Sequence, residues 1–203
     1  MKVFIGKMFR MDALILYAHP NPTSFNNSIK EATVEKLTSM GKSFQVKNLY
    51  SENFYPVLTG EELQDIFVNS KVKEEIKKEQ EMIKQSKTII VIHPVWWSGM
   101  PAILKGYIDR VFTYGFAYKE QNGEIVGLLG DKKVLIINTF GADEGELNSF
   151  GIKDCFEKIY YSIYGFCGIK EVKSKFLFAV PYVSREDRIK MLEDIKRFVE
   201  ENV

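Results

Sequence analysis

Five times along this chain a short apolar run is followed, after a loop, by a longer stretch with apolar residues at helical spacing. Such alternation demands a parallel sheet with helices on both faces, because strands covered on both sides lose the polar half of the usual strand pattern. The runs are 13–18, 44–49, 88–92, 133–138 and 175–180. The first, third and fourth are apolar almost without a break, whereas Phe44 and Val46 alternate with polar neighbours. Between them a helix is expected over 26–40, with Ile29, Ala32, Thr33 and Leu37 inward and Gly41 as its C′ residue. The charged segment 61–87 reads as a solvated helix resting on Val72, Ile76 and Ile83. Pro101 opens a helix at its first turn, with Leu104, Ile108, Val111 and Phe112 as one stripe. A further helix spans 152–167. Ser184, with Asp187 three residues on, opens the last, whose apolar positions are Ile189, Leu192, Ile195 and Phe198.

Right-handed crossovers leave few topologies, and no G-x-G-x-x-G follows the first strand. The expected fold is therefore α/β, a flavodoxin-like three-layer sandwich with a five-stranded parallel sheet in order 2-1-3-4-5. Residues 11–203 form a single domain. Residues 1–10 are a basic and apolar N-terminal extension, read either as a tail ahead of a start at Met11 or as an added edge strand. The 28 basic and 27 acidic residues leave a net charge of +1, which predicts no attraction to nucleic acid or to an anionic membrane. No apolar stretch approaches the length of a bilayer span and the first ten residues lack a secretory apolar region, so a cytoplasmic protein without membrane insertion is expected. Cys155 and Cys167 sit on one helix, too far apart for a disulfide, and read as small buried apolar residues. No cluster of metal ligands is present, so no metal is expected.

In that strand order the loops after strands one, three and four open at one edge, at the switch point where open α/β sheets bind ligands. The first loop, from His19 to Asn26, leads into a helix N-terminus. Thr23, Ser24 and Asn26 either cap that helix or hold an anion such as a phosphate beside its dipole. His19 is either a phosphate contact or a loop residue; His93, ahead of a proline, reads as structural. The second loop, 94–99, holds two adjacent tryptophans, Trp96 and Trp97. They serve either as a wall for a flat aromatic ligand or in core and dimer packing. The third, 139–142, offers the Thr139 hydroxyl and the close-approaching backbone of Gly141.

The residues from His19 through Pro-Asn-Pro-Thr-Ser-Phe to Asn26, and the longer run from His93-Pro-Val-Trp-Trp-Ser-Gly-Met-Pro through Leu-Lys-Gly-Tyr-Ile-Asp-Arg-Val-Phe to Tyr118, closely resemble the NAD(P)H:quinone oxidoreductases. Asn48-Leu-Tyr, Asn53, Phe54 and Pro56 extend the likeness, which covers nearly all of the chain from Met11. The resemblance implies a non-covalent FAD or FMN, a homodimer, and hydride passed from NAD(P)H to the flavin and then to a quinone or similar acceptor. By position, His19, Ser24, Phe25 and Asn26 would hold the flavin's phosphate and ribityl end. Pro94, Val95, Trp96, Trp97 and Ser98 would line the ring, while Thr139, Phe140 and Gly141 would meet its polar edge. Segment 101–118 would contribute to the dimer contact and, through Tyr114, Phe116 or Tyr118, to the partner's substrate pocket.

The fourth strand departs from the family's common Thr-Thr-Gly-Gly: this chain reads Asn138-Thr139-Phe140-Gly141. Phe140 either narrows the flavin site or turns outward. No histidine follows His93, so the tyrosine–histidine proton relay of the mammalian enzymes is missing here. Water or another side chain must then supply the proton. Three other functions compete with the enzyme, one of them a small-molecule-binding flavodoxin-like domain without turnover, which gains if Phe140 blocks the nicotinamide. A flavodoxin-like electron carrier is disfavoured by the net charge of +1, and a regulatory subunit of a potassium-efflux antiporter stays open.

Overall fold

A computed structural model describes residues 10–203, so the extension expected over 1–10 lies outside the described residues except for Arg10. The elements run β1 Met11–Tyr17, α1 Phe25–Ser39, β2 Phe44–Asn48, α2 Gly60–Phe67, α3 Glu74–Gln85, β3 Ser86–Pro94 and α4 Ala102–Val111. They continue β4 Tyr118–Gln121, β5 Glu124–Gly127, β6 Lys133–Thr139, α5 Glu144–Ser149, α6 Ile152–Phe166, β7 Glu171–Leu177 and α7 Arg185–Asn202. Five strands form one parallel sheet in the order β2-β1-β3-β6-β7. This is the expected 2-1-3-4-5 once the β4–β5 hairpin, which stands outside the sheet, is set aside.

Side chains alternate across the sheet, and each parity has its own core. Leu14, Leu16, Ile89, Val91, Val134 and Ile136 pack with Ile76, Leu104, Tyr107, Val111, Phe156 and Tyr160, the side of α3, α4 and α6. Ala13, Ile15, Tyr17, Ile90, Ile92, Leu135 and Ile137 pack with Ile29, Leu37, Ile195 and Val199, the side of α1 and α7. Both faces are dry, which is why the central strands carry no polar alternation. The signals at Gly41 and Ser184 hold. Gly41 takes φ +66 behind α1, and the Ser184 side chain accepts the Asp187 N–H at 3.1 Å.

Several boundaries differ from the sequence reading. The charged segment 61–87 is two helices, not one, separated by residues 68–73 with Ser70 at positive φ, and β3 begins at Ser86. The fifth sheet strand is 171–177 rather than 175–180, because its pairing with β6 runs from Lys133↔Glu171 to Thr139↔Leu177 and ends where β6 ends. Ala179, at φ +50, has already turned away. Pro101 is the N-cap of α4, not its first helical residue, with an extended ψ of 143°. On α7 Ile189 is exposed, and Val199 joins Ile195 in the core instead. Cys155 is exposed and only Cys167 is buried; both are free. The polar turn at Asn122-Gly123, both at positive φ, is the tip of the β4–β5 hairpin. At the base of that hairpin a Cβ on Gly127 would lie 2.1 Å from the Gly168 nitrogen, so two backbones touch.

One charged cluster fixes the segment between β2 and α3. Arg110 of α4 is buried, donates from Nε to both Glu62 oxygens at 2.9 and 3.1 Å, and reaches Glu75 and the Tyr55 carbonyl with its terminal nitrogens. Four parts of the chain are thereby tied to one guanidinium. One turn earlier on α4, a Cβ on Gly106 would lie 2.0 Å from the Pro56 carbonyl oxygen, so helix and loop meet backbone to backbone. Arg110→Ala leaves the buried Glu62 carboxylate with only the Lys73 ammonium, 3.7 Å away, and is expected to cost about 3 kcal/mol in urea unfolding. Pairing it with Glu62→Leu should recover much of that loss.

Candidate functional site

β1, β3 and β6 are neighbours, so the loops that leave their carboxyl ends share one edge of the sheet. In the first loop the Asn21 side chain accepts from the Thr23 N–H and hydroxyl, both at 2.8 Å, and His19 Nδ1 accepts from the Asn21 N–H. Partial burial lowers the His19 pKa, in keeping with a neutral ring at that acceptor. Ser24 caps α1, its hydroxyl accepting from the Asn27 N–H. Among the described residues no acceptor meets the N–H groups of Phe25 and Asn26, so α1 presents two free donors at its positive end. The Phe25 ring itself packs toward the α1–α7 core, so its contribution to the site is its backbone. Asn26 is buried and donates to the Thr139 hydroxyl at 2.8 Å, joining the first loop to the third; its amide oxygen has no partner.

The second loop is a strained turn. Val95 N–H still donates to the Thr139 carbonyl at 2.9 Å, and Trp96 and Gly99 then exchange two backbone hydrogen bonds. Between them Trp97 and Ser98 have φ of 49° and 53°, a pair of left-handed conformations where glycine or asparagine is the usual choice. The Trp97 side chain is fully exposed. Trp96 is 41% exposed and meets His19 edge-on at 5.7 Å between ring centroids, so the first two loops touch through these rings. A strained turn that holds an indole in water marks a contact surface for something outside the chain.

In the third loop the parity of β6 decides the outcome. Thr139 falls on the α1 side, toward Asn26. Phe140 continues the face of Val134 and Ile136 and is buried among Phe156, Phe176 and Phe178. Its N–H and carbonyl are taken by Leu177 and Val180. Phe140 therefore neither lines nor narrows the site, contrary to the expectation from its neighbours. A Cβ on Gly141 would meet nothing within 4 Å, so the space above this loop is open.

Tyr114, Phe116 and Tyr118 are not brought to these loops within one chain. Tyr114 and Tyr118 line a separate apolar cavity of about 380 Å³ with Leu63, Phe67, Phe112 and Phe166. Phe67, Tyr114, Tyr118 and Phe166 form a continuous row of rings, with centroid separations of 6.0, 5.8 and 4.8 Å. Phe116 is buried on another side, beneath the Lys84 ammonium, and does not share that cavity. Arg188 was not singled out from the sequence. The ion pairs Glu35–Lys196 and Lys36–Glu200 set α1 and α7 side by side, so Arg188 lies level with the first turn of α1. Its guanidinium donates to the Val180 and Pro181 carbonyls and its Nε is buried without a partner. Only the helix register reveals this position.

A cradle of helix N–H groups and a bare aromatic wall thus stand together at the switch point of a doubly wound sheet, the place where such sheets bind ligands. The family described as Flavodoxin-like fold matches residues 11–199. A Haemophilus influenzae protein named "Uncharacterized NAD(P)H oxidoreductase" is 36% identical over 185 residues, covering 90% of this chain and 91% of its own. The quinone-type ribosyldihydronicotinamide dehydrogenase of Rattus norvegicus is 30% identical over 199 residues, covering 88% of this chain and 86% of its own. Among solved structures, the NAD(P)H:quinone oxidoreductase of Methanothermobacter marburgensis superposes with a TM-score of 0.84 at 32% identity, covering 94% of this chain and 98% of that one. Smu.1420 of Streptococcus mutans does so with 0.83 at 34%, covering 94% and 100%. The chain belongs to the flavodoxin-like family and, within it, to the NAD(P)H:quinone oxidoreductases, a family of enzymes.

Two measurements check the energetics of the site. A left-handed conformation costs a non-glycine residue about 1–2 kcal/mol, and glycine's extra chain entropy returns about half of that. Ser98→Gly is therefore expected to stabilise the protein by about 0.5–1 kcal/mol in thermal or urea melts. Complete burial pushes the His93 pKa down to about 4 from 6.5. Between those values the unfolded chain binds a proton that the native chain refuses. Stability from this group is thus full above about pH 6.5 and falls toward pH 4 by about 1.4 kcal/mol per unit. Urea melts at pH 7, 6 and 5 should show that slope, and His93→Phe should remove its larger part, leaving the contribution of the half-buried His19, whose pKa is lowered in the same sense; Asp12, held down at about 2, acts only below this window.

Proposed function

We propose that the chain is a flavin-dependent NAD(P)H oxidoreductase that reduces quinones or similar aromatic acceptors in a two-step, ping-pong exchange. The observation that carries this reading is the fully exposed Trp97 on its strained turn, beside the free N–H groups of α1. The residues fit a flavin by chemistry. The N–H groups of Phe25 and Asn26, with the Ser24 hydroxyl and His19, suit the phosphate end of FAD or FMN, where the helix dipole favours an anion. Pro94, Val95, Trp96, Trp97 and Ser98 supply the apolar wall for the ring. Thr139 and the Gly141 backbone supply polar contacts, and the unpartnered Asn26 oxygen leaves one acceptor for a ligand hydroxyl. When bound, the flavin supplies the two-electron hydride chemistry, which no side chain of this protein can perform.

The chain's own residues then stack, orient and exclude water. The site lies open in a single chain, and the aromatic row Phe67–Tyr114–Tyr118–Phe166 is exposed on another face. A homodimer that covers this row would hide apolar surface and bring Tyr114 and Tyr118 to the partner's acceptor pocket. Sedimentation of the wild type and of Phe166→Glu reads that assembly directly.

The protein incubated with FMN or FAD, separated from free flavin, should show a flavin absorbance band and oxidise NADH or NADPH rapidly with a simple quinone such as menadione. Absence of turnover with either flavin and either nicotinamide would sink the proposal. Trp97→Gly separates wall from fold. It relieves a left-handed residue, so the melting temperature should rise, while flavin affinity should fall about tenfold or more through lost stacking.

A further inference from the structure

Where β1 and β3 part, two prolines remove the backbone donors of the next rung. The last rung between them is Ala18 N–H to the Ile92 carbonyl, at 3.0 Å. In a parallel ladder the following rung would run from residue 20 to the Pro94 carbonyl and from residue 94 to the Ala18 carbonyl. Residues 20 and 94 are both proline, so neither bond can form. The seam is forced open there, directly under the first and second loops of the site.

The Pro94 carbonyl is nevertheless paired. His93 Nδ1 lies 2.8 Å from it. Because a carbonyl only accepts, Nδ1 must carry the proton. The other ring nitrogen, Nε2, is then an acceptor, and it lies 2.8 Å from the Asn138 amide nitrogen and 3.3 Å from the Tyr160 hydroxyl. His93 and Asn138 are cross-strand partners, and Tyr160 comes from α6 on the same face. The ring is fully buried, and the Tyr160 ring meets it edge-on.

We propose that His93 is a positioning residue for the cofactor loop: as a neutral Nδ1–H imidazole steered by Asn138 and Tyr160, it replaces the backbone donor that Pro20 cannot give and fixes the Pro94 carbonyl. The direction in which residues 95–99 leave the sheet, and with it the placement of Trp97, depends on that bond. Its consequence for flavin binding rests on the function proposed above. Its effect on the loop does not. Complete burial keeps its pKa near 4, so the ring holds this bond in its neutral form.

The chain has only two histidines, so the ring nitrogens are readily assigned by long-range proton–nitrogen correlation NMR. His93 should show a protonated Nδ1 and an acceptor Nε2; the opposite tautomer would overturn the inference. In a second arm, His93→Phe should speed amide hydrogen exchange at Val95 and Trp96 at least tenfold and weaken FMN or FAD binding by a similar factor. Adding Pro20→Ala, which restores a backbone N–H to that rung, should recover most of both effects. A role limited to filling the core would not be rescued from residue 20, so loss without rescue, or no loss at all, also overturns it. If the wild type binds neither flavin, the proposed function fails, while tautomer and exchange still decide the role of His93.

Discussion

The site depends on a hydrogen-bond ladder that stops. β1 and β3 pair from Met11↔Ser86 to Tyr17↔Ile92 as the two central strands of the sheet, and one rung later each chain reaches a proline. Without those donors the backbone ladder between the two strands ends there. The strands must diverge, and the crevice between the first and second loops is the divergence itself. Everything nearby adapts to it: Ser24 caps the helix on one lip, the Trp97 turn forms the other, and Asn26 bridges to β6 beneath.

Two opposite treatments of polar groups keep that crevice rigid. Below it, Arg110 with Glu62, and likewise Lys47 with Glu79, are charges taken out of water but paired, and the exposed Glu75 and Glu52 add a second partner to each cation. They stabilise little by themselves, yet each is costly to break, so they specify one arrangement of α2, α3, α4 and the segment after β2. At the crevice the reverse holds. Donors at α1 and the amide oxygen of Asn26 are left without partners, and the Trp97 turn carries backbone strain. Unmet hydrogen bonds and strain concentrated in one place are what a binding surface retains until its ligand arrives.

Much of this was legible in the chain. Unbroken apolar runs can only be strands covered on both faces, which gave β1, β3 and β6, and hence the three loops. Gly41 and Ser184 announced helix ends through backbone chemistry that tertiary contacts rarely override. The misses have physical causes too. The end of β7 is set by where β6 stops, which no local pattern encodes. Arg110 holds α2 through Glu62 and α3 through Glu75, and Glu62 is a residue whose type says surface until Arg110 is placed over it. Phe140 belongs to the loop by position but to the core by strand parity, since counting in twos from Val134 sends it inward. Arg188 needs the α1–α7 register, which exists only in three dimensions.

The hairpin built by Asn122-Gly123 has a consequence of its own. Its base is clamped where Gly127 and Gly168 touch backbone to backbone and where Leu129 N–H meets the Cys167 carbonyl at 2.8 Å. Strand register there cannot slip by a residue without driving atoms together. The tip has no such constraint, since a Cβ on Gly123 meets nothing. Length variation among related chains therefore belongs at residues 121–124, where a longer arm would extend the reach of the surface beside Tyr118 while leaving the sheet untouched.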